Sequence, residues 1–526
     1  MTQSPADSTW APLRQRTFRW LWLGVLVSAT GTWMQTVGAQ WLLVDAPNPA
    51  ALVALVQAAN TLPVMLLALP GGVLADSLDR RWLLFSVQGY FFAVGILLVV
   101  LTIAGQMPPA LLLAFTFALG VGVAVQLPAW GASIPELVPR GQLRAASRLD
   151  LVSVNVSRAI GPVVAGLLIA HAGGVAVVFA ANAASVLVLA VAALFWRRPP
   201  PEIEDRPERF VPALRAGSRY VRHDPVVRRI LLRAVMFVTP AMALWALLPV
   251  IASLRLGVGA DGYGAMFGAL GVGAILGASL LGRIGNRLPT NATLGAGAVA
   301  YAAALAMLVL VPSFPAALGI LVLSGLSWMA VTSTLQADLQ LILPAWVRAR
   351  GIAIYVVTFM AAQTVGALLW GLVANQIGLA PTVLFAAVAV LVGTVAGIFL
   401  RVPETGHLDP QPAAYWGDPR MAYVPLPAAG PVLVAVTFTV APDRQAAFLE
   451  AMDQLRQSRR RTGATRWELY RDGEQLDRFV EMFRVASWEE HLRQHEGRLT
   501  AIDQQVEQTA MAFSDPPARG DHLLPP

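Results

Sequence analysis

Two residue types are missing from the 526 positions of this chain: cysteine and lysine. Without cysteine there are no disulfides, iron–sulfur clusters, zinc–thiolate centres or cysteine nucleophiles. Without lysine there is no phosphate-cradling GxxxxGK[ST] loop, which excludes ATP-driven transport by this chain alone. Charge of either sign is also scarce, at 13% of residues against 56% hydrophobic, where a soluble domain carries about 25% and about 45–50%. That is the balance of a membrane protein. The charge divides unevenly: from Gly430 onward stand 12 arginines and 15 carboxylates, net −3, against +10 before it. The chain therefore has two parts suited to different solvents. The net charge of +7 does not mark a nucleic-acid binder, because the arginines fall in short clusters between apolar runs and form no basic stripe on a soluble domain.

A helix crossing hydrocarbon needs about 20 mostly apolar residues. Twelve segments qualify: 18–44, 50–75, 82–104, 109–134, 147–170, 174–196, 229–254, 261–284, 292–312, 315–337, 350–375 and 381–400. The first follows an arginine-bearing start with no small-residue cleavage site and reads as a retained helix. The junctions alternate. One set carries Arg14, Arg16 and Arg19; Arg80 and Arg81; Arg140, Arg144 and Arg148; the segment 197–228; Arg283 and Arg287; Arg348 and Arg350; and Arg401. The other set (DAPNP, GQMPP, HAGG, PSFP, QIGLAP) is nearly uncharged, with Arg255 the exception. The positive-inside rule puts the arginine set, and both termini, in the cytoplasm. The polar, proline-bearing segment 197–228 divides an N-terminal six-helix bundle (1–196) from a C-terminal one (229–402). An offset of 205 residues aligns Pro139 with Pro344, Gly161 with Gly366, Gly166 with Gly371 and Gly173 with Gly378, and an offset of 210 aligns Gly72 with Gly282 and Asp76 with Asn286. Two related six-helix halves are the pattern of parallel-repeat transporters.

The turn after the second segment, GGVLADSLDRRWLL (71–84), packs two aspartates and two arginines into positions 76–81. Each would cost about 2.5–3.5 kcal/mol at a helix centre, so they mark a cytoplasmic turn. Gly72 is expected to allow close helix approach, Asp76 to face a helix N-terminus, and Arg80 and Arg81 to hold the turn at the headgroups. The stretch resembles the signature loop of the major facilitator superfamily in Gly72, Leu74, Asp76, Asp79, Arg80 and Arg81. Asp79 replaces a glycine of that pattern, and Ser77 stands where a basic residue is common. The resemblance implies a latch between the two halves. In NVSRAIGPVVAG of the fifth segment, Gly161, Pro162 and Gly166 resemble the glycine–proline motif of exporters in that superfamily. Three residues separate Pro162 from Gly166, which departs from it. Small residues there permit tight packing, and the proline kinks the helix.

Arg158 lies about twelve residues, roughly 18 Å, into the fifth span, where a cation is expensive unless it meets a cavity or a partner. Asn155 and Pro162 share its helical face. We read it as a substrate or coupling residue, with a structural hydrogen-bond anchor as the alternative. Gln35, Gln40, Asn60, Gln126, Asn182 and Gln363, the last standing opposite Arg158 in the repeat, are cavity contacts or interhelical hydrogen bonds. Trp33, Trp130, Trp245, Trp328 and Trp370 line a cavity for amphipathic or aromatic substrates, or anchor the helices at the interface. Asp45, Glu136, Asp150, Asp261 and Asp338 all stand near helix ends, so the sequence shows no intramembrane proton relay. Asp150 and Asp338 are the candidate proton carriers.

After a proline-rich linker (403–430), residues 431–526 read as water-soluble. VLVAVTFTVAP is a strand, DRQAAFLEAMDQLRQSRRR an amphipathic helix, and TRWELYRDGEQ and DRFVEMFRVAS two alternating strands. SWEEHLRQHEGRLTAIDQQVEQTAM is a second helix, capped by Ser487 with Glu490 at its third position. No final strand is evident. His491 and His495, four residues apart, are either half of a metal site or, the reading adopted, part of a solvated helix face. No metal or cofactor is expected. The order of elements, and the run FVEMFRVASWEEHLRQH, resemble the ferredoxin-like dimeric α+β barrel domains related to antibiotic-biosynthesis monooxygenases. That implies a dimerisation or regulatory module, with cofactor-free oxygenase chemistry as an open alternative, since fold does not carry function.

Residues 10–402 as a whole resemble the bacterial secretion-effector branch of the major facilitator superfamily, and are similar to enterobactin exporters. The resemblance implies an all-α polytopic protein with twelve transmembrane helices in two six-helix repeats, followed by a ferredoxin-like α+β domain, in the bacterial cytoplasmic membrane. It implies a proton-coupled exporter of a siderophore-like or drug-like molecule, working between lipid bilayer and proton gradient, and a homodimer through the C-terminal domain. An importer and a membrane-tethered enzyme are the alternatives. Anchoring an enzyme needs one span and leaves the others unexplained. In single-cysteine variants, impermeant thiol reagents are expected to reach both chain ends from the cytoplasmic side only; labelling from opposite sides contradicts an even number of spans.

Overall fold

The computed structural model describes residues 10–197, 210–284, 288–404, 421, 423 and 425–525. Asn286, Arg287 and parts of both expected linkers (198–209 and 405–420) lie outside the described residues, as does the Arg283 side chain. The helices are α1 (Arg16–Leu42), α2 (Pro49–Ser77), α3 (Arg80–Ile103), α4 (Pro109–Leu137), α5 (Leu143–His171), α6 (Val175–Phe195), α7 (Phe210–His223), α8 (Pro225–Val250), α9 (Ala260–Ile284), α10 (Thr290–Leu310), α11 (Phe314–Ile342), α12 (Ala345–Ile377) and α13 (Leu379–Phe399). Prolines at the first positions of α2, α4 and α8 start helices where no backbone N–H is needed. Among the described residues eleven helices, α2–α6 and α8–α13, are long and apolar enough to cross a membrane. The twelfth expected span, α1, is 27 residues long but falls short of that apolarity. Four tryptophans, Gln35, Gln40 and four threonines dilute it.

The chain forms two compact units. The first holds α1–α6, α9, α10 and α13 with Leu232–Thr334 and Val356–Arg401, so the expected N-terminal bundle and most of the C-terminal one fall within it. The reason is close packing between them. In α5, Gly161 packs on the Thr30 carbonyl of α1 and Gly166 on the Ala260 carbonyl and Gly264 of α9. At the positions 205 residues on, Gly366 packs on the Thr239 carbonyl of α8 and Gly371 on Ala50 and Ala54 of α2. Each glycine lets two backbones approach where any side chain would collide. Gly173 and Gly378, also aligned by that offset, both have positive φ (111° and 86°) just before α6 and α13, a conformation that glycine reaches without strain. Thr61 of α2 and Thr364 of α12 are 2.7 Å apart.

The second unit holds α7, the first turns of α8, the end of α11, the start of α12 (Leu335–Tyr355) and the C-terminal domain. That domain runs β1 (Val432–Thr439), α14 (Gln445–Thr462), β2 (Arg466–Arg471), β3 (Arg478–Val485), α15 (Trp488–Arg493), α16 (Ala501–Met511) and β4 (Arg519–Leu523). Its strands form one antiparallel sheet in the order β2-β3-β1-β4. Val432, Val434, Val436 and Phe438 alternate inward from β1 against Phe448 and Leu455 of α14. Ser487 caps α15 as expected, accepting from the Glu490 N–H at 3.2 Å.

Three expectations fail here. The second helix is two helices, because Thr500 and Asp503 form a capping box that starts α16. A final strand exists, β4, paired with β1; it is only five residues long and carries Arg519, Asp521 and His522, so no alternation betrayed it. His491 and His495 are not solvated. Both are buried, with their Nε2 atoms 3.2 Å apart, and β4 places the His522 ring 4.9 Å from that of His491.

Burial and the neighbouring histidine and arginine charges push His491 and His495 down to about 3. Unfolding frees them to bind protons near the ordinary value of about 6.5, so the stability they permit is complete above that pH and drains away as pH falls toward 3. Proteolytic cleavage within residues 431–525 of the full chain is expected to accelerate between pH 7 and 4.5. Replacing both histidines by glutamine should flatten that dependence, and an unchanged slope would contradict it.

Candidate functional site

α5 carries Arg158 midway along its 29 residues. Its guanidinium lies 5.4 Å from the ring centroid of Trp33 on α1 and 5.8 Å from that of Trp245 on α8. Its Nε is buried without a hydrogen-bond partner, and among the described residues no carboxylate pairs with it. Two desolvated cation–π contacts, at about 2 kcal/mol each, are comparable with the cost of a mid-bilayer arginine, about 2.5–3.5 kcal/mol, but they leave that N–H unmet. The site is thus a cation held by aromatic faces with unspent capacity to donate hydrogen bonds.

Around it runs a belt of rings. Trp245 is 5.7 Å from Phe267 of α9 and 5.5 Å from Trp328 of α11. Phe267 continues to Tyr263, which stacks on Trp41 and donates to the Gln40 Oε1 at 2.6 Å. Trp328 continues to Phe237, Tyr301 and Phe359. The structure therefore brings together Arg158, Trp33, Trp245, Trp328 and, through Tyr263, Gln40. Other expected cavity residues lie elsewhere. Gln35 accepts from Asn182 of α6 at 3.4 Å. The Asn155 amide turns back to the Leu151 carbonyl of its own helix. Trp130 donates to Asp150 and Trp370 to the Thr239 carbonyl. Asn60 and Gln363 are half-buried on α2 and α12, and Asp338 is buried near the end of α11. Sequence reading missed Tyr263 and Phe267; their spacing of four on a helix that also carries seven glycines was the available signal. An open apolar groove of about 510 Å³ between α1, α5 and α6, lined by Leu26, Thr30 and Ile160, includes neither Arg158 nor any of these rings.

The turn between α2 and α3 is built differently from expectation. Asp79, not Asp76, caps α3, accepting from the Arg81 N–H at 2.9 Å. Asp76 is 78% exposed and only 3.8 Å from Arg80. Gly72 makes no close approach, whereas Gly71 packs on the backbone of Ala124 and Val125 in α4. Arg80 reaches Glu136 of α4 at 2.5 Å and donates to the Ala132 and Ala75 carbonyls, while Arg81 donates to the Leu194 carbonyl of α6. The two arginines thus tie α2, α3, α4 and α6 at one end. Among the described residues no three ligating side chains are arranged to hold a metal ion.

The sequence profile described as that of transmembrane secretion effectors matches residues 7–522. The multidrug efflux pump Tap of Mycobacterium bovis is similar at 25% identity over 404 residues, which is 74% of this chain and 94% of that protein. The enterobactin exporter EntS of Salmonella choleraesuis is similar at 28% over 273 residues, 51% of this chain and 64% of that one. Among solved structures, a bacterial homologue of the human lysosomal transporter Spinster, inward-facing and occupied, aligns with a TM-score of 0.60 at 15% identity, over 74% of this chain and 97% of that chain. At that identity the likeness concerns the fold alone.

Arg80→Gln removes the Arg80–Glu136 ion pair and is expected to destabilise the detergent-solubilised protein by about 1.5–3 kcal/mol. Asp76→Asn, at an exposed site, should stay within about 0.5 kcal/mol. Unfolding midpoints measure both, and the reverse ranking would contradict this assignment of the turn.

Proposed function

Because the chain belongs to the transmembrane secretion effector family of the major facilitator superfamily, and so is a multi-pass membrane transporter and not an enzyme, we propose that it exports a small siderophore-like or drug-like molecule across the bacterial cytoplasmic membrane by alternating access. The tethered-enzyme alternative falls with the family. Twelve helices span, with both termini cytoplasmic: α1 is the least apolar, but its 27 residues at about 1.5 Å each exceed the ~30 Å of hydrocarbon. Its polar residues face other helices, as the Gln40–Tyr263 and Gln35–Asn182 bonds do. Six helices on either side of α7 form two repeats that rock about a cavity between them. The equivalent glycine contacts at positions 161 and 366, and at 166 and 371, support that reading.

One observation carries the proposal: Arg158, a cation in the middle of a span, sits against Trp33 and Trp245 without a carboxylate partner among the described residues. A fixed structural anchor would have its donors satisfied. An arginine with open donors between aromatic faces is suited to a ligand that supplies oxygen acceptors and a flat ring. Relatives that export a siderophore and drugs agree with export in direction. Proton coupling uses Asp150, hydrogen-bonded to Trp130, and Asp338, buried near the end of α11. The turn of Gly72, Asp76, Asp79, Arg80 and Arg81 serves as the latch. The C-terminal domain is ferredoxin-like, with the β-α-β-β-α-β order that β4 completes, and it pairs two chains.

The test compares metabolites in the medium of cells carrying the gene, lacking it, or carrying Arg158→Ala. A compound that depends on the gene should fall about tenfold or more in the variant at equal membrane abundance, equivalent to about 1.4 kcal/mol. An unchanged level would remove Arg158 from the pathway.

A further inference from the structure

The second compact unit is fastened by two ion-pair clusters that join the C-terminal domain to helix ends of the transporter. In the first, Glu490 of α15 accepts from Arg219 of α7 at 2.8 Å and, at both oxygens, from Arg498 at 2.6 and 2.9 Å. The Arg498 guanidinium lies 4.8 Å from the ring of Trp346 in the first turn of α12, and Tyr220 of α7 meets that same ring edge-on at 5.7 Å. In the second, Asp224 divides its oxygens. One caps α8, accepting from the N–H groups of Val226 and Val227, and the other lies 3.3 Å from Arg461 of α14, which is also held by Asp503 at 2.6 Å. Gly217 completes the contact between α7 and α12: a Cβ there would fall 2.7 Å from the Arg350 Cβ.

The kind of contact matters. The domain's own core is a dry cluster of valines and phenylalanines, which separates only on unfolding. The grip on α7 and on the start of α8 is ionic, with side chains 2–18% exposed, and α12 is held by the Arg498–Trp346 cation–π contact. Buried ion pairs contribute little net stability, because their charges regain full hydration on separation. Such a contact holds position and can also open. Its reach follows from the chain itself: α8, α11 and α12 each continue from this unit into the other, and α7 lies on the connection between the first six spans and the rest.

We propose that the C-terminal domain is an intramolecular brake on the transport cycle, docked through Glu490 and Arg461 so that α7 and the first turns of α8 and α12 move as one body, and released when those pairs open. The proposal rests on the alternating-access reading, which requires those helix ends to shift. In the docked state the connection cannot adjust its length, so the conformation that fits it is favoured and the other is rarely populated.

The chain has no cysteine of its own, which makes a direct test available. Spin labels at Gln106→Cys and Ser313→Cys report the distance between two loops on opposite sides of α7 in the sequence. Arg219→Glu, which repels Glu490 and leaves its pair with Arg498 intact, is expected to raise the population of the minor distance about tenfold. In a second variant, a bismaleimide bridge between Arg219→Cys and Glu490→Cys is expected to leave a single distance, read from donor and acceptor dyes at genetically encoded azide residues in positions 106 and 313. A distribution identical in the parent, the Arg219→Glu chain and the bridged chain overturns the brake. Loss of the gene-dependent export described above concerns the transport reading and is scored separately, because the distance measurement needs no substrate.

Discussion

Hydrocarbon cannot hydrate a guanidinium, and the arrangement of the transporter follows from where this chain nonetheless puts one. In the same solvent every backbone N–H and C=O must be satisfied within its own segment, which is why the described residues before 400 are mostly helical. Helices in lipid gain nothing from burying leucine against leucine, so they associate through close backbone approach. The glycines at 161, 166, 366 and 371 supply it. With the walls assembled in this way, Arg158 faces Trp33 and Trp245, and the rings of α8, α9 and α11 extend that surface.

Much of this was legible in the sequence because it depends on the solvent and on single residues. Among the described residues eleven helices announce themselves as long and apolar enough to cross a membrane. Gly173 and Gly378, aligned by one offset in the sequence, both have positive φ, and Arg158 stood out because a cation in a span always needs a reason. What stayed hidden depends on partners distant in sequence. No pattern in α1 distinguishes Gln40, which meets Tyr263, from Gln35, which meets Asn182 on another helix. The capping aspartate of α3 is Asp79 and not Asp76 because helix α2 runs on to Ser77, a matter of where one turn ends.

The C-terminal domain shows the same division more sharply. The alternation in β1 and β3 and the cap at Ser487 were readable, since each is local. The last strand was not, because β4 is short and polar and is a strand only by pairing with β1. With β4 unseen, the histidines of α15 had no visible cover. The buried Arg459, set between Glu481 and Glu507, likewise reads as a surface residue in an arginine-rich helix end until the sheet closes over it. The ionic grip on Arg219 of α7 and Asp224 at the start of α8 joins residues more than two hundred positions apart, beyond the reach of any periodicity.

The central claim is that Arg158 lines a pathway open to each side of the membrane in turn. In this cysteine-free chain, Arg158→Cys makes that position the only thiol, and a membrane-impermeant maleimide can be applied from either side of sealed vesicles of known orientation. The account predicts labelling from both sides. A thiol that reacts from neither side, or from one side only under every condition of substrate and pH, contradicts it.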